Sequence, residues 1–173
     1  MTSQNALVEA PLPTVEPPGG VDRDTVVIGT RFGEMEFLLQ NAILMPRGML
    51  GYADYHSYGL ANMPDPRLEQ FKLFQCLEED SLSFVVAPLN PGSETIEVAD
   101  FEAACEALSI DPANAAVLLV VSTRQIGAAT QISVNLRAPI ILDGMSQKAY
   151  QHVLMNNRYP VRQVIGTAAK AAD

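Results

Sequence analysis

The alternation of apolar and polar residues is clearest between residues 131 and 138, where the two kinds of side chain fall on opposite faces of an extended strand. The apolar face holds Ile132, Val134, Leu136 and Ala138, and the polar face holds Gln131, Ser133, Asn135 and Arg137. This pattern predicts a half-buried strand that exposes a row of polar side chains.

Two further pairs of apolar segments predict β-hairpins. Residues 71–77 and 81–87 flank an acidic triplet, Glu78, Glu79 and Asp80, which predicts a hairpin with an acidic tip. Residues 25–31 and 34–39 flank Gly33, and this second hairpin is expected to place Met35, Phe37 and Leu39 on its inner face. Together the hairpins indicate an antiparallel sheet.

The branched apolar run from Val117 to Val121 is typical of a central strand that is buried on both faces. One helix is expected, with Asp100 as its cap, Glu102 in its first turn and Pro112 beyond its end. Its apolar residues fall at helical spacing and would cover or plug a barrel: Phe101, Ala104, Cys105 and Leu108.

No series of long helices alternates with the strands, so a doubly wound fold is not expected. The sequence predicts a mostly β, antiparallel β-barrel-like single domain with one or two short helices. Residues 1–23 are rich in proline and glycine and predict a disordered tail, the domain itself is assigned to residues 24–165, and the alanine-rich residues 166–173 predict a flexible C-terminal tail.

Composition supports a folded, acidic protein. Of 173 residues, 48% are hydrophobic and 18% are charged, which is too apolar for a disordered chain. The formal net charge of −9 disfavours direct nucleic-acid binding and would attract a basic protein, although the same charge could serve solubility alone. With no signal sequence or membrane-length apolar stretch, the protein is expected in the cytoplasm and away from membranes.

The sequence offers no catalytic, metal or cofactor motif. Cys76, Cys105, His56 and His152 lack ligand spacing, and the usual acyl-transfer, phosphate-binding and dinucleotide-binding motifs are missing. The acidic triplet could in principle support acid–base chemistry, but a solvated turn or a contact for a basic partner fits a hairpin tip better. A small β-barrel enzyme or small-molecule-binding protein stays open as the alternative.

Surface chemistry suggests further partner-binding residues. Asn135 and Arg137 share the polar face of the best strand, and arginine is favoured at interfaces, although a solvated strand face is the more common explanation of such a pattern. Met49, Leu50 and Tyr52 could form an apolar contact or could pack the 48–52 turn into the core. The candidate partner-binding set is therefore these five residues with the acidic triplet.

Six segments of the chain form a recognisable series, in this order: residues 44–52 (LMPRGMLGY), 71–77 (FKLFQCL), 82–88 (LSFVVAP), 117–122, 135–142 (NLRAPIIL) and 147–154. Together they resemble the FliW family of flagellar assembly factors. The resemblance covers roughly residues 25 to 162. It departs from the family pattern at Leu50, Ala87 and Asp143, and in the longer proline-rich head.

The resemblance implies a compact β-barrel-like protein of the bacterial cytoplasm, monomeric when free. It implies two partners: CsrA, a small basic RNA-binding dimer, and newly made flagellin. Such a protein would hold CsrA away from the flagellin message until accumulating flagellin displaces it. The function implied is partner switching without catalysis.

Overall fold

The computed structural model describes residues 24–90 and 93–169, so the predicted tail at residues 1–23 lies outside the described part. The elements, in chain order, are β1 (Thr25–Thr30), β2 (Gly33–Leu38), β3 (Ile43–Leu44), β4 (Ser57–Asn62), β5 (Lys72–Cys76), β6 (Ser83–Leu89), α1 (Val98–Leu108), β7 (Ala115–Ile126), β8 (Ala129–Val134), β9 (Ile140–Asp143), β10 (Lys148–Gln151) and β11 (Gln163–Ala169). Short 3-10 helices lie at Leu39–Asn41, Pro66–Leu68 and Pro112–Asn114. The mostly β prediction with few helices is confirmed.

Seven strands close into a ring. Strands β3 to β7 pair with their sequence neighbours in antiparallel order, and the first residues of β7 also pair with β9. β9 pairs with β10, and β10 returns to β3 through a short parallel contact at Lys148 and Leu44. The barrel-like prediction is therefore confirmed, with this parallel closure as its departure from purely antiparallel pairing.

A second sheet extends from the barrel along β7. Residues 121–126 of β7 pair with β8, and β8 pairs with β11. We call residues 122–126, β8 and β11 the outer sheet. β11 continues past the predicted domain boundary at residue 165, and residues 166–169 pair with β8. Residues 170–173 lie outside the described residues.

Side chains fill the barrel interior. Tyr58 and Phe74 stack there with ring centroids 4.6 Å apart, and both are fully buried. Every strand of the ring contributes to the same cluster, whose other buried members are Ile43, Met45, Met49, Cys76, Leu82, Val86, Ala116, Leu118, Ile140, Leu142 and Ala149. The alternation within each strand has thus produced a packed core in place of an open lumen.

The helix covers one outer wall of the barrel. Ala104 and Cys105 of α1 are buried against Val117 and Leu119, so the prediction that β7 is covered on both faces is confirmed for these residues. The predicted cap is wrong, because the helix begins at Val98 after Glu97.

The β1–β2 hairpin covers a second wall. The Phe37 ring presses on Gly59, where an added Cβ would lie 2.4 Å from a ring carbon, so only glycine admits this approach. Met35 packs against a cluster built on Phe71 and Leu73. The prediction for Leu39 is wrong: β2 ends at Leu38, and Leu39 opens a 3-10 helix with its side chain 44% exposed.

The predicted strand at residues 131–138 is too long. β8 ends at Val134, and residues 135–138 bend away to lead into β9. Ser133 is also buried, and its hydroxyl lies 3.1 Å from that of Ser122. The expected exposed polar row therefore does not form as one face of a strand.

Candidate protein-binding surface

One end of the barrel gathers the candidate residues. β4, β6 and β9 begin at this end, and β5 and β10 finish there, as their antiparallel registers require. The acidic triplet, the 48–52 turn and the 135–138 bend are the connections between these strand ends. We call this the tip end of the barrel. Closure of the ring has brought together three segments that are far apart in sequence.

Glu78 fastens the acidic tip to the loop that precedes β4. Its carboxylate accepts hydrogen bonds from the backbone N–H groups of His56 (2.5 Å) and Ser57 (2.7 Å). A charged acceptor makes such bonds stronger than neutral ones. Glu78 therefore holds two connections of the tip end in fixed relation.

The other two carboxylates of the triplet are less constrained by the rest of the fold. Glu79 accepts bonds from the Ser81 hydroxyl (2.7 Å) and the Ser81 N–H (3.3 Å), and these bonds lower the pKa of its carboxyl. Asp80 is exposed beside it, and the exposed Asp54 adds a carboxylate from the loop that Glu78 fastens. The tip end thus presents an acidic surface at neutral pH.

Gln75 shapes the tip from below, although nothing in the sequence pattern had singled it out. Its side chain is fully buried, and its amide nitrogen donates to the carbonyl oxygens of Cys76 (2.9 Å), Asp80 (3.0 Å) and Leu82 (3.2 Å). Its position between Phe74 and Cys76, in the apolar part of β5, was the available signal. The hairpin therefore carries its acidic residues on a turn tied by one buried amide.

The 48–52 turn depends on glycine. Gly48 has φ +66°, and a Cβ there would lie 2.5 Å from the carbonyl oxygen of Tyr52 and 2.8 Å from Cα of Ala53. A side chain at this position would meet both unfavourable torsion and backbone atoms. The turn consequently packs closely over the end of the barrel.

The turn divides its apolar residues between core and surface. Met49 is buried in the barrel core, whereas Leu50 is 55% and Tyr52 is 43% exposed. Tyr52 meets Phe84 edge-on with ring centroids 5.7 Å apart. Of the three candidates, Leu50 and Tyr52 are therefore available for contact, and Met49 supports them from below.

Gln151 joins the turn to the bend after β8. It accepts a hydrogen bond from the N–H of Leu50 (2.9 Å), and it donates to the carbonyl oxygen of Ala138 (3.2 Å). This residue was not predicted from the sequence either, because neither partner is close to it in the chain. Through Gln151 the apolar part of the tip end is fixed to the 135–138 segment.

Asn135 and Arg137 are half-buried and bonded within the fold. The Asn135 side-chain oxygen accepts from the N–H of Ala138 (3.1 Å). Arg137 donates to the carbonyl oxygen of Tyr159 (3.0 Å) and to the side chain of Asn157 (3.1 Å). Both residues border the tip end, where they order the bend.

No group of three or more His, Cys, Asp or Glu side chains in the described residues is arranged to hold a metal ion. His56 lies 2.9 Å from the carbonyl oxygen of Met45, and burial, with a smaller contribution from Arg47, lowers the pKa of His152. The filled barrel interior removes the cavity on which the alternative of a ligand-binding barrel relied. Within the described residues, no helix has the length and apolarity needed to span a bilayer.

Comparisons with known proteins agree with this architecture. A flagellar assembly factor FliW from Syntrophus aciditrophicus is 35% identical over 139 residues, covering 77% of this chain and 82% of that protein. A FliW from Geotalea uraniireducens is 32% identical over 136 residues, covering 79% and 81%. A crystal structure of the flagellar assembly factor FliW superposes with a TM-score of 0.63 at 21% identity, covering 80% of this chain and 96% of that one.

The structural likeness supports the fold, and the family comparison goes further. The model of the family described as FliW protein matches residues 26–165, which include every strand of the closed ring and the whole tip end. On this match, and on relatives above 30% identity over most of their length, the chain belongs to the FliW family.

Proposed function

We propose that this protein is a flagellar assembly factor of the bacterial cytoplasm that binds CsrA and flagellin in turn. Bound to CsrA, it relieves the repression of flagellin translation; flagellin that accumulates before export takes it back and frees CsrA to repress again. Family membership is the observation that carries this proposal, because the curated relatives are flagellar assembly factors.

The tip end supports a basic partner. Asp54 and Asp80 are exposed carboxylates of the tip end, and Leu50 and Tyr52 are its exposed apolar side chains. Apolar and aromatic groups at the centre of an interface contribute most of the affinity, while charges around them steer the encounter and select the partner. A small basic dimer such as CsrA has the matching charge.

The surface needs no chemistry to act as a switch. A protein that binds free CsrA more tightly than RNA-bound CsrA lowers the RNA affinity of CsrA by the same coupling free energy. Flagellin then needs only to compete for this protein, directly or through the same kind of coupling. Binding alone accounts for the regulation.

Titration calorimetry with CsrA and flagellin purified from the same host tests the proposal. We expect stable binding to each partner at micromolar concentration or below. Asp80→Lys should weaken CsrA binding at least tenfold, whereas Glu106→Lys, the same charge change on the exposed face of α1, should leave it unchanged. Failure to bind either partner would contradict the proposal, and equal effects of the two variants would move the CsrA site away from the tip end.

A further inference from the structure

The charge of this acidic protein is divided unevenly along the chain. Residues 1–111 hold 18 acidic and five basic side chains, a net charge of −13, whereas residues 112–173 hold two acidic and six basic, a net charge of +4. The second part contains β7 to β11 and therefore the whole outer sheet. The net charge of the whole protein therefore does not represent the charge of this region.

The outer sheet and the residue that precedes β11 carry two arginines and no described carboxylate. Arg124 on β7 and Arg162 just before β11 are both exposed, and residues 112–142 and 144–169 contain no aspartate or glutamate. Arg124, Gln131 and Thr167 are cross-strand neighbours, so the Arg124 guanidinium stands in a polar row that runs across to β11. A carboxylate brought to this sheet would be attracted by these two arginines, with no described carboxylate of the sheet to oppose it.

Apolar side chains are exposed in the same region. Val164 and Ile165 on β11 are 44% and 51% exposed, and Ile126 at the far end of β7 is 49% exposed. Val161, two residues before β11, is 58% exposed. Exposed apolar groups that cluster along one strand and its approach are typical of a surface that binds another chain.

The backbone of β11 is open along one edge. It is the last strand in its sheet, and within the described residues no strand pairs with its other side. Natural edge strands are usually protected by lysine, proline, a charge that points inward or a bulge, and of these devices residues 163–169 contain only a bulge. A single bulge between Val164 and Gly166 interrupts the strand.

We propose that the free edge of β11 binds an extended, acidic segment of a partner protein by strand addition. Backbone hydrogen bonds along β11 would supply affinity, apolar side chains of the segment would pack on Val164 and Ile165, and carboxylates would pair with Arg124 and Arg162. Pairing of β11 with the β11 strand of a second copy is less favourable, because antiparallel β11 strands would bring two positively charged sheets together. This site is separate from the tip end and does not depend on the partners proposed for it.

Fluorescence anisotropy of the full chain with designed peptides tests the site. The probes are labelled heptapeptides of alternating valine and threonine, flanked by two glutamates or by two lysines, with a third glutamate-flanked version that carries proline at its centre. We expect the glutamate-flanked peptide to bind at least tenfold more tightly than the lysine-flanked one. The proline version should bind least, because it interrupts the backbone pairing.

Charge reversal distinguishes the outer sheet from other surfaces. The double variant Arg124→Glu/Arg162→Glu should abolish or reverse the preference, whereas Arg67→Glu/Lys148→Glu, with the same net charge change elsewhere, should keep it. Hydrogen exchange should slow in β11 only when the acidic peptide is bound. Lack of binding by all peptides up to millimolar concentration would overturn the proposal, as would a preference that the outer-sheet variant does not alter.

Light scattering tests the alternative that the free edge of β11 binds a second copy of this protein. We expect the protein to stay monomeric under the conditions of the titration. A dimer whose β11 amides are protected before any peptide is added would assign the edge to a second copy and overturn the proposal.

Discussion

The two halves of β7 lie in opposite surroundings although they form one continuous strand. Ala115 to Leu119 are all buried, between the barrel interior on one side and the α1 layer on the other, whereas residues 122–126 are all exposed. The buried half pairs with β6 and β9, and the exposed half pairs with β8. Pairing with neighbouring strands holds both halves in the same extended conformation. The halves differ in the layers packed on their faces, and burial against those layers determines which side chains of β7 contribute most to stability.

The largest effect should come from truncating the buried half. Leu118 is fully buried, so Leu118→Ala should lower the free energy of unfolding by about 2–5 kcal/mol, through lost burial and the cavity that remains. Ile126→Ala in the exposed half should change it by less than about 0.5 kcal/mol. Urea denaturation of both variants measures the contrast, and similar losses would show that the two halves are equally important to the core.

Two glycines with nearly the same φ angle allow a comparison of the tip end with the outer sheet. An added Cβ would meet backbone atoms within 3 Å at Gly48 (φ +66°), whereas at Gly127 (φ +61°), in the β7–β8 turn, it would meet nothing within 4 Å. Gly127→Ala should cost about 1 kcal/mol from the left-handed torsion alone. Gly48→Ala should cost more, about 2–4 kcal/mol, because the turn must also shift. Equal melting temperatures for the two variants would contradict this difference.

Substitutions of buried polar groups at the tip end and in the outer sheet should change stability by intermediate amounts. Gln75→Leu removes a donor from three backbone carbonyls and should destabilise the protein by about 1–3 kcal/mol. Ser133→Ala, in the outer sheet, removes one hydroxyl pair with Ser122 and should cost about 0.5–1 kcal/mol. Hydrogen exchange after Gln75→Leu should quicken at residues 78–82 and stay unchanged in β8. Faster exchange in β8 would instead indicate one cooperative unit.

The smallest effect is a response to pH, which the region around His152 should show and the outer sheet should not. Burial, and secondarily Arg47, lowers the pKa of His152 below its usual 6.5, so the folded state disfavours the protonated ring. The stabilisation that comes from burying the neutral His152 ring is therefore fully present above pH 6.5, and it is lost as the pH falls through the lowered pKa.

His152→Gln should flatten the pH dependence of the unfolding free energy below pH 6.5. The outer sheet contains no histidine or described carboxylate, so acidification should not change its exchange rates through its own side chains. A proton NMR titration of His152 gives the pKa directly. A value at or above 6.5 would refute the expected direction.

Local patterns predicted the elements whose contacts are local. The β5–β6 hairpin follows from alternation on either side of Glu78 to Asp80, and the first half of β7 follows from its branched apolar run. The start of α1 was misplaced because the Asp100 carboxylate does not cap the helix and instead accepts hydrogen bonds from the Tyr159 hydroxyl (2.6 Å) and the Asn156 side-chain amide (3.3 Å), partners that no local pattern reveals. β11 was missed because its glycine and alanine residues carry little strand signal.

The tip end was predictable in its parts and not as a whole. The acidic triplet and the exposed residues Leu50 and Tyr52 came from local chemistry, and the structure places them around one end of the barrel. Their meeting depends on ring closure, and Asn135 and Arg137 took structural roles because the bend folds back on itself and a later loop, with Tyr159, approaches it. Long-range pairing of this kind has no period along the chain.

The parallel contact between Leu44 and Lys148 also has a consequence for biosynthesis. The two residues are about a hundred positions apart, and at roughly 5–20 residues per second a ribosome needs on the order of 5–20 s to make the chain between them. Until then β3, β4 and β5 have emerged without the strands that close the ring, and their inward side chains are uncovered. Folding of this barrel therefore waits until β9 and β10 have been made, and before then the nascent chain passes through an interval in which it is most open to aggregation or to chaperones.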